Sequence, residues 1–363
     1  VTSAVPADVE RLLLRAAREV RPLAALTPVD PLRERMRLVA LVRSGQWALP
    51  RWTYAPLDHE ELRRALAAAE RVLERGLASA IDHLVLGRIR ELSIEAALCA
   101  AAGTRQIASL ALERFAPANA ALARAASSLR AAWLALDPRR DEAPSMASDD
   151  PHPKSLLSQM RAAVGGLRLP FAVVPTRGLA ALAATGDRAI YVAVGRLLSP
   201  EDAARTVLHE IEGHARPRAR AALATCPLFR AGTARGTDDQ EGRALLLEER
   251  AGFLAGTRRR QLAARHGAVE AMLAGASFVD VARALVDDHG FDAAEAVLIA
   301  ERAFRGSDGT SPGLGRERVY LESLVRMRAH LAKRPEDERV LACGQVAIEA
   351  AEPLRAFVPR DAE

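Results

Sequence analysis

The sequence predicts a mainly α protein of the α+β class with one small β-sheet in its second half. Apolar residues recur at helical spacing through most of the chain. Half of the 363 residues are apolar but only 4% are aromatic, and alanine is abundant, a composition that suits many closely packed helices. Only residues 169–175 and 189–194 have the Val, Ile, Phe and Tyr content of strands.

The elements follow in order. Val9, Leu12, Leu13, Ala16, Val20 and Leu23 form a helical stripe over 6–26, which Pro28 and Pro31 end. A second helix is expected over about 32–43. Residues 47–56 hold two of the three tryptophans between prolines, which forbid a helix there. They read as a packed aromatic loop pinning helices together, in preference to a ligand platform. Helices follow at about 58–76, 80–102, 105–115 and 117–136, with His59 opening the first. Residues 137–153 contain four prolines, five acids and no periodicity. They read as a linker between a helical N-terminal region, 1–136, and a second domain, 154–363.

Beyond the linker, a short helix over about 154–164 leads to the two strands, punctuated by Gly186-Asp187 and Gly195. Ser199 is a natural N-cap, with Asp202 three residues on and Pro200 at the first helical position. That helix runs over Ala203, Ala204, Val207, Leu208 and Ile211. Thr237 with Gln240 reads as a second cap, placing Glu241 in the first turn of its helix. Further helices are expected at about 239–256, 258–274, 277–289, 292–305 and 316–332, with a last element near 343–351. The glycine-rich loop 306–315 has no preceding strand and no following Lys-Ser/Thr. It is expected to border a cleft and not to cradle phosphate.

The chemistry concentrates in Leu208-His209-Glu210-Ile211-Glu212-Gly213-His214 and, one helix on, in Gln240-Glu241-Gly242-Arg243-Ala244. Two imidazoles and a downstream carboxylate are the donors of a catalytic zinc site with three protein ligands and an open fourth position. His209, His214 and Glu241 would hold one zinc ion (Zn2+) per chain, leaving Glu210 as general base on a water. The spacing sets a condition. The histidines are five residues apart, roughly 140° around an ideal helix. They converge only if the helix widens into a π-bulge or ends near Gly213. Gly213 tolerates unusual backbone angles, and Pro217 has no N–H to return to the carbonyl of Gly213. The bland alternative is a pair of helix-surface histidines near a bend.

A net charge of +5 and a pI near 9.6 could suggest nucleic-acid binding. Yet Lys154 and Lys333 are the only lysines, the arginines are scattered among acids, and no block of five or six like charges occurs. Nucleic acid is not an expected partner. Cys99, Cys226 and Cys343 are far apart and odd in number, which excludes a disulfide framework or a paired-thiol metal site. No run of 18 apolar residues and no basic-then-apolar leader is present. The expectation is a cytoplasmic protein without a membrane partner. His83, His152, His266, His289 and His330 read as surface or core histidines.

These motifs resemble the tyrosine carboxypeptidase family of zinc proteins with a Gln-Glu-Gly-Leu-Ala motif, whose bacterial members include proteins described as modulating flavohaemoglobin expression. Also similar are Leu26-Thr27-Pro28, Pro50-x-Trp52-x-Tyr54-x-Pro56, Arg302-x-x-Arg305-Gly306 and Gly313-Leu314-x-Arg316-Glu317-x-x-Tyr320-Leu321, so the resemblance covers nearly the whole chain. It implies a gluzincin-like metalloprotease domain over 154–363, with His209, His214 and Glu241 matching the zinc ligands and Glu210 the acid/base. Eukaryotic members remove the C-terminal tyrosine of tubulin. The implied activity is hydrolysis of C-terminal residues, tyrosine or another aromatic, from a peptide or protein. Three departures bear on substrate preference: Arg243 for leucine, Glu212-Gly213 for Gly-Thr, and Arg316-Glu317 for Lys-Asp. A rival resemblance is to zinc peptidases of the dipeptidyl-peptidase III type, which would make Glu248 or Glu249 of Glu248-Glu249-Arg250-Ala251 the third ligand. A regulatory or scaffold protein with a structural zinc is the other alternative. It needs a fourth protein ligand, and Cys226 is the nearest thiol in sequence.

Peptide hydrolysis also needs an oxyanion donor, for which Tyr320 is the candidate; a buried packing tyrosine is its alternative. A carboxypeptidase must grip a free carboxylate, and the planar fork of arginine does so through two parallel hydrogen bonds. Arg302 and Arg305 precede the glycine-rich loop and Arg316 follows it, four residues before Tyr320 and so on the same helix face. Arg305 and Arg316 are the preferred pair. Their alternative role is pairing with Glu301, Glu317 or Glu322 at the surface. The sequence leaves the oligomeric state open.

Overall fold

The computed structural model describes residues 5–136 and 146–359. Helices account for 63% of the described residues and strands for 5%, which makes the protein mainly α with a small sheet, as the sequence predicts. The helical N-terminal region begins with α1 (Ala7–Glu19), which buries Val9, Leu13 and Ala16. It stops well short of residue 26. Pro22 has no N–H to extend the ladder and instead starts the single turn α2 (Pro22–Ala25). Next come α3 (Pro31–Arg43), capped by the Asp30 side chain, and the non-helical segment 47–56. That segment is a packed loop. Trp52 meets Phe278 edge-on at 5.5 Å between centroids, and the Tyr54 hydroxyl donates to the Ser307 carbonyl at 2.9 Å. Four more helices follow: α4 (Glu60–Glu74) with His59 at its N-cap, α5 (Ala80–Ala100), α6 (Ile107–Phe115) and α7 (Ala120–Leu134).

The expected linker is partly structured. Residues 137–145 lie outside the described part, but β1 (Met146–Ala147) is a strand. After α8 (Leu156–Gly166) come β2 (Ala172–Thr176), β3 (Ala183–Thr185), β4 (Ala189–Ala193) and β5 (Leu197–Leu198). β1 pairs antiparallel with β5. In the three-stranded sheet β4 is central, parallel to β2 and antiparallel to β3. The sequence pattern misses β3, because Ala-Ala-Thr becomes a strand only by pairing with β4.

α9 (Pro200–Leu208) begins as expected, with the Ser199 hydroxyl accepting from the Asp202 N–H at 3.0 Å. It runs without interruption into a π-helical segment, His209–Ala215, and then into α10 (Arg216–Leu223); α11 (Pro227–Ala231) follows after an extended Ala224. α12 (Gly236–Arg250) carries Glu241. The expected Thr237 cap is not made. Arg235 takes the N-cap position with φ +61°, its N–H donating to Glu91 at 2.7 Å, so Glu241 falls in the second turn. α13 (Gly256–Leu273), α14 (Phe278–Asp287) and α15 (Ala293–Ala303) precede the glycine-rich loop, and a 3-10 turn, Arg316–Arg318, opens α16 (Val319–Lys333). A single turn, α17 (Glu338–Leu341), follows, and the last element expected near 343–351 is a 3-10 turn, Ile348–Ala350, that runs into the single turn α18 (Ala351–Leu354).

One apolar cluster joins Leu13, Leu66 and Ile89 from before the expected linker to Leu245, Leu324 and Leu354 from after it. α12 contributes Leu245 and Leu246 to it, and two glycines allow the neighbours of α12 to approach. A Cβ on Gly242 would collide with the Ser323 backbone of α16, and one on Gly213 would stand 2.6 Å from the Ala244 Cβ. Gly213 is therefore required for close helix packing. Its φ is not positive, contrary to the expectation of unusual backbone angles. The glycine-rich loop also differs from expectation. Gly306 (φ +86°) abuts Ile107 and Gly309 (φ +84°) abuts Pro50, so the loop clamps the N-terminal region, and only its flanks, Arg305 and Arg316, reach the cleft. Among the described residues no helix is long and apolar enough to cross a membrane.

His266 on α13 is a core histidine, 1% exposed, and neither ring nitrogen has a hydrogen-bond partner. Burial depresses its pKa to about 4, against the pull of Glu270. A depressed histidine binds its proton more readily in the unfolded chain. The stability it contributes is whole above about pH 6.5 and is lost as pH falls toward 4, a change of about 3 kcal/mol. Denaturant titrations at pH 7 and pH 4.5 are expected to show a smaller difference for His266→Leu than for the wild type. Equal differences would mean that His266 is not buried as a neutral ring.

Candidate metal centre

The π segment solves the spacing problem. The Arg216 N–H closes onto the Ile211 carbonyl, five residues back, so each turn of the segment holds one residue more than an α-turn. His209 and His214 are thereby brought to one side of the helix, with their Nε2 atoms 3.2 Å apart. From α12, Glu241 presents its Oε2 at 3.4 Å from the first and 3.7 Å from the second. A tetrahedral zinc ion with donors roughly 2.0–2.1 Å away has donor–donor edges of about 3.3 Å. The three atoms therefore form a triangle of the size that ion requires.

The remaining bonds of each side chain are consistent with that fit. His209 Nδ1 lies 2.7 Å from Glu248 Oε1. A carboxylate can only accept, so Nδ1 carries the proton and Nε2 turns its lone pair to the centre. His214 Nδ1 lies 2.9 Å from the Gln240 amide oxygen, whose NH2 donates to the Gly344 carbonyl at 3.2 Å. Glu241 Oε1 accepts from Arg316 at 3.0 Å, whereas its buried Oε2 has no hydrogen-bond partner. An orphaned anionic oxygen facing two imine nitrogens calls for a cation between them. The electrostatics agree. Burial would raise the Glu241 carboxyl, but His214, His209 and Arg316 outweigh it and hold the group well below the carboxylate range. Burial would likewise favour neutral His209, yet Glu241 and Glu248 push its pKa up to about 10. The cluster attracts positive charge.

The donor atoms of His209, Glu210 and His214 also lie within 4.8 Å of one another, so this group could hold a metal ion, and no cysteine joins it. Between Glu210 and Glu241 as third donor, the bonding favours Glu241. Glu210 Oε2 accepts the Thr185 hydroxyl of β3 at 2.7 Å, while Glu241 Oε2 faces only the two imidazoles. Glu248 stands behind the His209 ring, where Arg258 donates to both its oxygens at 2.9 Å. Glu249 pairs with Arg328. Neither occupies the third-ligand position of the rival resemblance. Cys226 is buried in the main apolar cluster.

These groups line a cleft of about 1260 Å³ that also contains Tyr320, Arg302, Arg305 and Arg316. The N-terminal region contributes Arg35, Trp52 and Tyr54 to its lining. The arginines differ in what they have left to offer. Arg316 is engaged by Glu241, with the Tyr320 hydroxyl 3.4 Å from its Nη1. Arg302 lies 3.0 Å from Glu317 in a buried pair, unlike the surface pairing considered above. Glu301 is taken by Arg35 and Glu322 by Arg318. Arg305 has no ion-pair partner among the described residues, and burial followed by the charge of Arg302 lowers its pKa. Arg265 is pushed down to about 9 by the same two causes. Tyr320 is buried, which raises its pKa, as does Glu241, so its hydroxyl stays protonated as a donor. Arg243 and Glu212, two of the departures, do not line the cleft. Thr185 and Arg258 are the site residues that sequence reasoning missed, and Glu248, considered there only as a ligand, is instead the partner of the His209 ring. They come from a strand edge and from a charged stretch that reads equally well as a solvated face.

A family model described as microtubule-associated tyrosine carboxypeptidase matches residues 41–362. No curated protein matches the chain.

Proposed function

The chain belongs to the microtubule-associated tyrosine carboxypeptidase family, and from that premise we propose that it is a zinc-dependent carboxypeptidase acting on the free C-terminus of a peptide or protein. The observation that carries this reading is the triangle of two Nε2 atoms and the orphaned Glu241 Oε2. His209, His214 and Glu241 are the proposed ligands of one zinc ion, with Glu248 and Gln240 fixing the imidazole tautomers. When bound, the ion supplies Lewis acidity, polarising a carbonyl and lowering the pKa of a water to roughly 7.

Glu210, outside the triangle but within the same cluster, takes the proton of the attacking water at a carboxylate oxygen and delivers it to the leaving amine. Thr185 orients that carboxylate from β3. The protonated Tyr320 hydroxyl, beside Arg316, donates to the oxygen of the scissile carbonyl as negative charge develops there. Arg305, without an ion-pair partner among the described residues, binds the terminal carboxylate, while Arg302 and Arg316 hold the surrounding charge in place. The C-terminal side chain, tyrosine or another aromatic, enters the cleft. Nucleic acid and membrane are not part of the reading, and the proposed compartment is the cytoplasm.

Peptides with free and amidated C-termini separate this activity from endopeptidase action. Mass spectrometry is expected to show single residues released from the free form, loss of that release with chelator, and amidated peptides left whole. Equal cleavage of both forms, or of internal bonds, would overturn the carboxypeptidase assignment and leave the metal centre standing.

A further inference from the structure

The π segment that aligns the histidines has a gap in its own hydrogen bonding. In the register set by the Arg216 N–H and the Ile211 carbonyl, the next carbonyl, that of Glu212, should be met by the N–H of residue 217. Residue 217 is proline and has none. Arg243, two residues beyond Glu241 on α12, fills the gap, with its Nη1 donating to the Glu212 carbonyl at 2.9 Å. The arginine is 6% exposed, so water does not readily replace it. A buried carbonyl without a donor is costly enough to reorganise a helical turn.

We propose that Arg243 is a positioning residue for the metal centre: its guanidinium replaces the donor that Pro217 lacks and so holds the π register that carries His214 onto His209. This rests on the zinc reading above. Arg243 touches neither substrate nor the donor triangle and acts through the backbone of the turn between the two histidines. Losing it lets the turn relax toward α spacing, which swings His214 away from His209 and Glu241. Packing keeps the arrangement local. Ala244, the neighbour of Arg243, is the residue against which Gly213 closes.

The prediction separates a donor effect from mere loss of bulk, because the missing donor can be restored in the backbone. Zinc affinity of metal-free protein would be measured by competition with a chromophoric chelator, and folding by circular dichroism. Arg243→Met is expected to bind zinc about tenfold more weakly, a loss of the size seen when outer partners of a metal site are removed. Pro217→Ala alone should bind as the wild type does. Combining the two gives residue 217 an N–H for the Glu212 carbonyl and is expected to restore affinity to within about twofold of the wild type, since the lost donor is replaced. Wild-type affinity in Arg243→Met would overturn the inference, as would a double variant no tighter than Arg243→Met. Should Arg243→Met not fold, the double variant carries the test: it is expected to fold and bind, and its failure to do so overturns the inference. A wild-type protein that takes up no zinc would instead remove the zinc reading on which the inference rests.

Discussion

Replacing Glu210 by glutamine is expected to lower kcat by about 10²–10⁴-fold, the range for losing a positioned general base, while leaving zinc content at the wild-type level. Both halves follow from geometry. The Thr185 hydroxyl that donates to Glu210 Oε2 can donate equally to an amide oxygen, so the side chain keeps its place. The donor triangle excludes Glu210, so the amide leaves all three proposed ligands intact. What disappears is the ability to accept a proton at neutral pH. Elemental analysis beside steady-state kinetics reads the two parts separately. Loss of zinc from Glu210→Gln would make Glu210 a ligand, the grouping its proximity to both histidines also allows. Undiminished turnover would leave the proposed mechanism without its base.

Removing a proposed ligand should reach further. Glu241→Ala and His214→Ala are each expected to weaken zinc binding by at least about a hundredfold, since even outer-sphere partners cost 10–100-fold. Glu241→Ala should also lower thermal stability. Its loss leaves the Arg316 guanidinium and the His209 ring facing each other in a buried site without their common counter-charge. His214→Ala removes no charge of that kind and should unfold closer to the wild-type temperature. Dialysis against a weak chelator, followed by zinc analysis and thermal melts, distinguishes them. Retention of stoichiometric zinc in either variant would strike that residue from the ligand set.

Much of the fold was legible because helical periodicity is local. The stripe of α1, the Ser199 cap of α9 and the aromatic loop at 47–56 all depend on near neighbours. The widened helix was legible for a different reason: two histidines five apart cannot face one ion from an α-helix, so the chemistry dictated the backbone. What the sequence did not reveal depends on distant partners. Nothing within Ala-Ala-Thr marks β3 as a strand or Thr185 as the residue that orients Glu210. Thr237 with Gln240 has the pattern of a cap, but Glu91, 144 residues upstream, anchors Arg235 and starts the helix earlier. Glu248 reads as a solvated charge until α12 is placed behind His209, where it is fully buried. Arg243, read as a departure that could alter substrate preference, turns away from the cleft toward the Glu212 carbonyl.

The π segment also links two lengths of chain that would otherwise be free to vary independently. Deleting one residue between His209 and His214 would give the four-residue interval that an ordinary α-helix needs. It would also turn everything downstream by about 100°. Ala221 of α10 would leave the main apolar cluster, and the Pro217 carbonyl would leave the Gly344 N–H that it meets at 2.8 Å. The interval between the histidines and the inward face of α10 are thus a single choice. A lineage could shorten the motif only by rebuilding the helix that follows it in the same step.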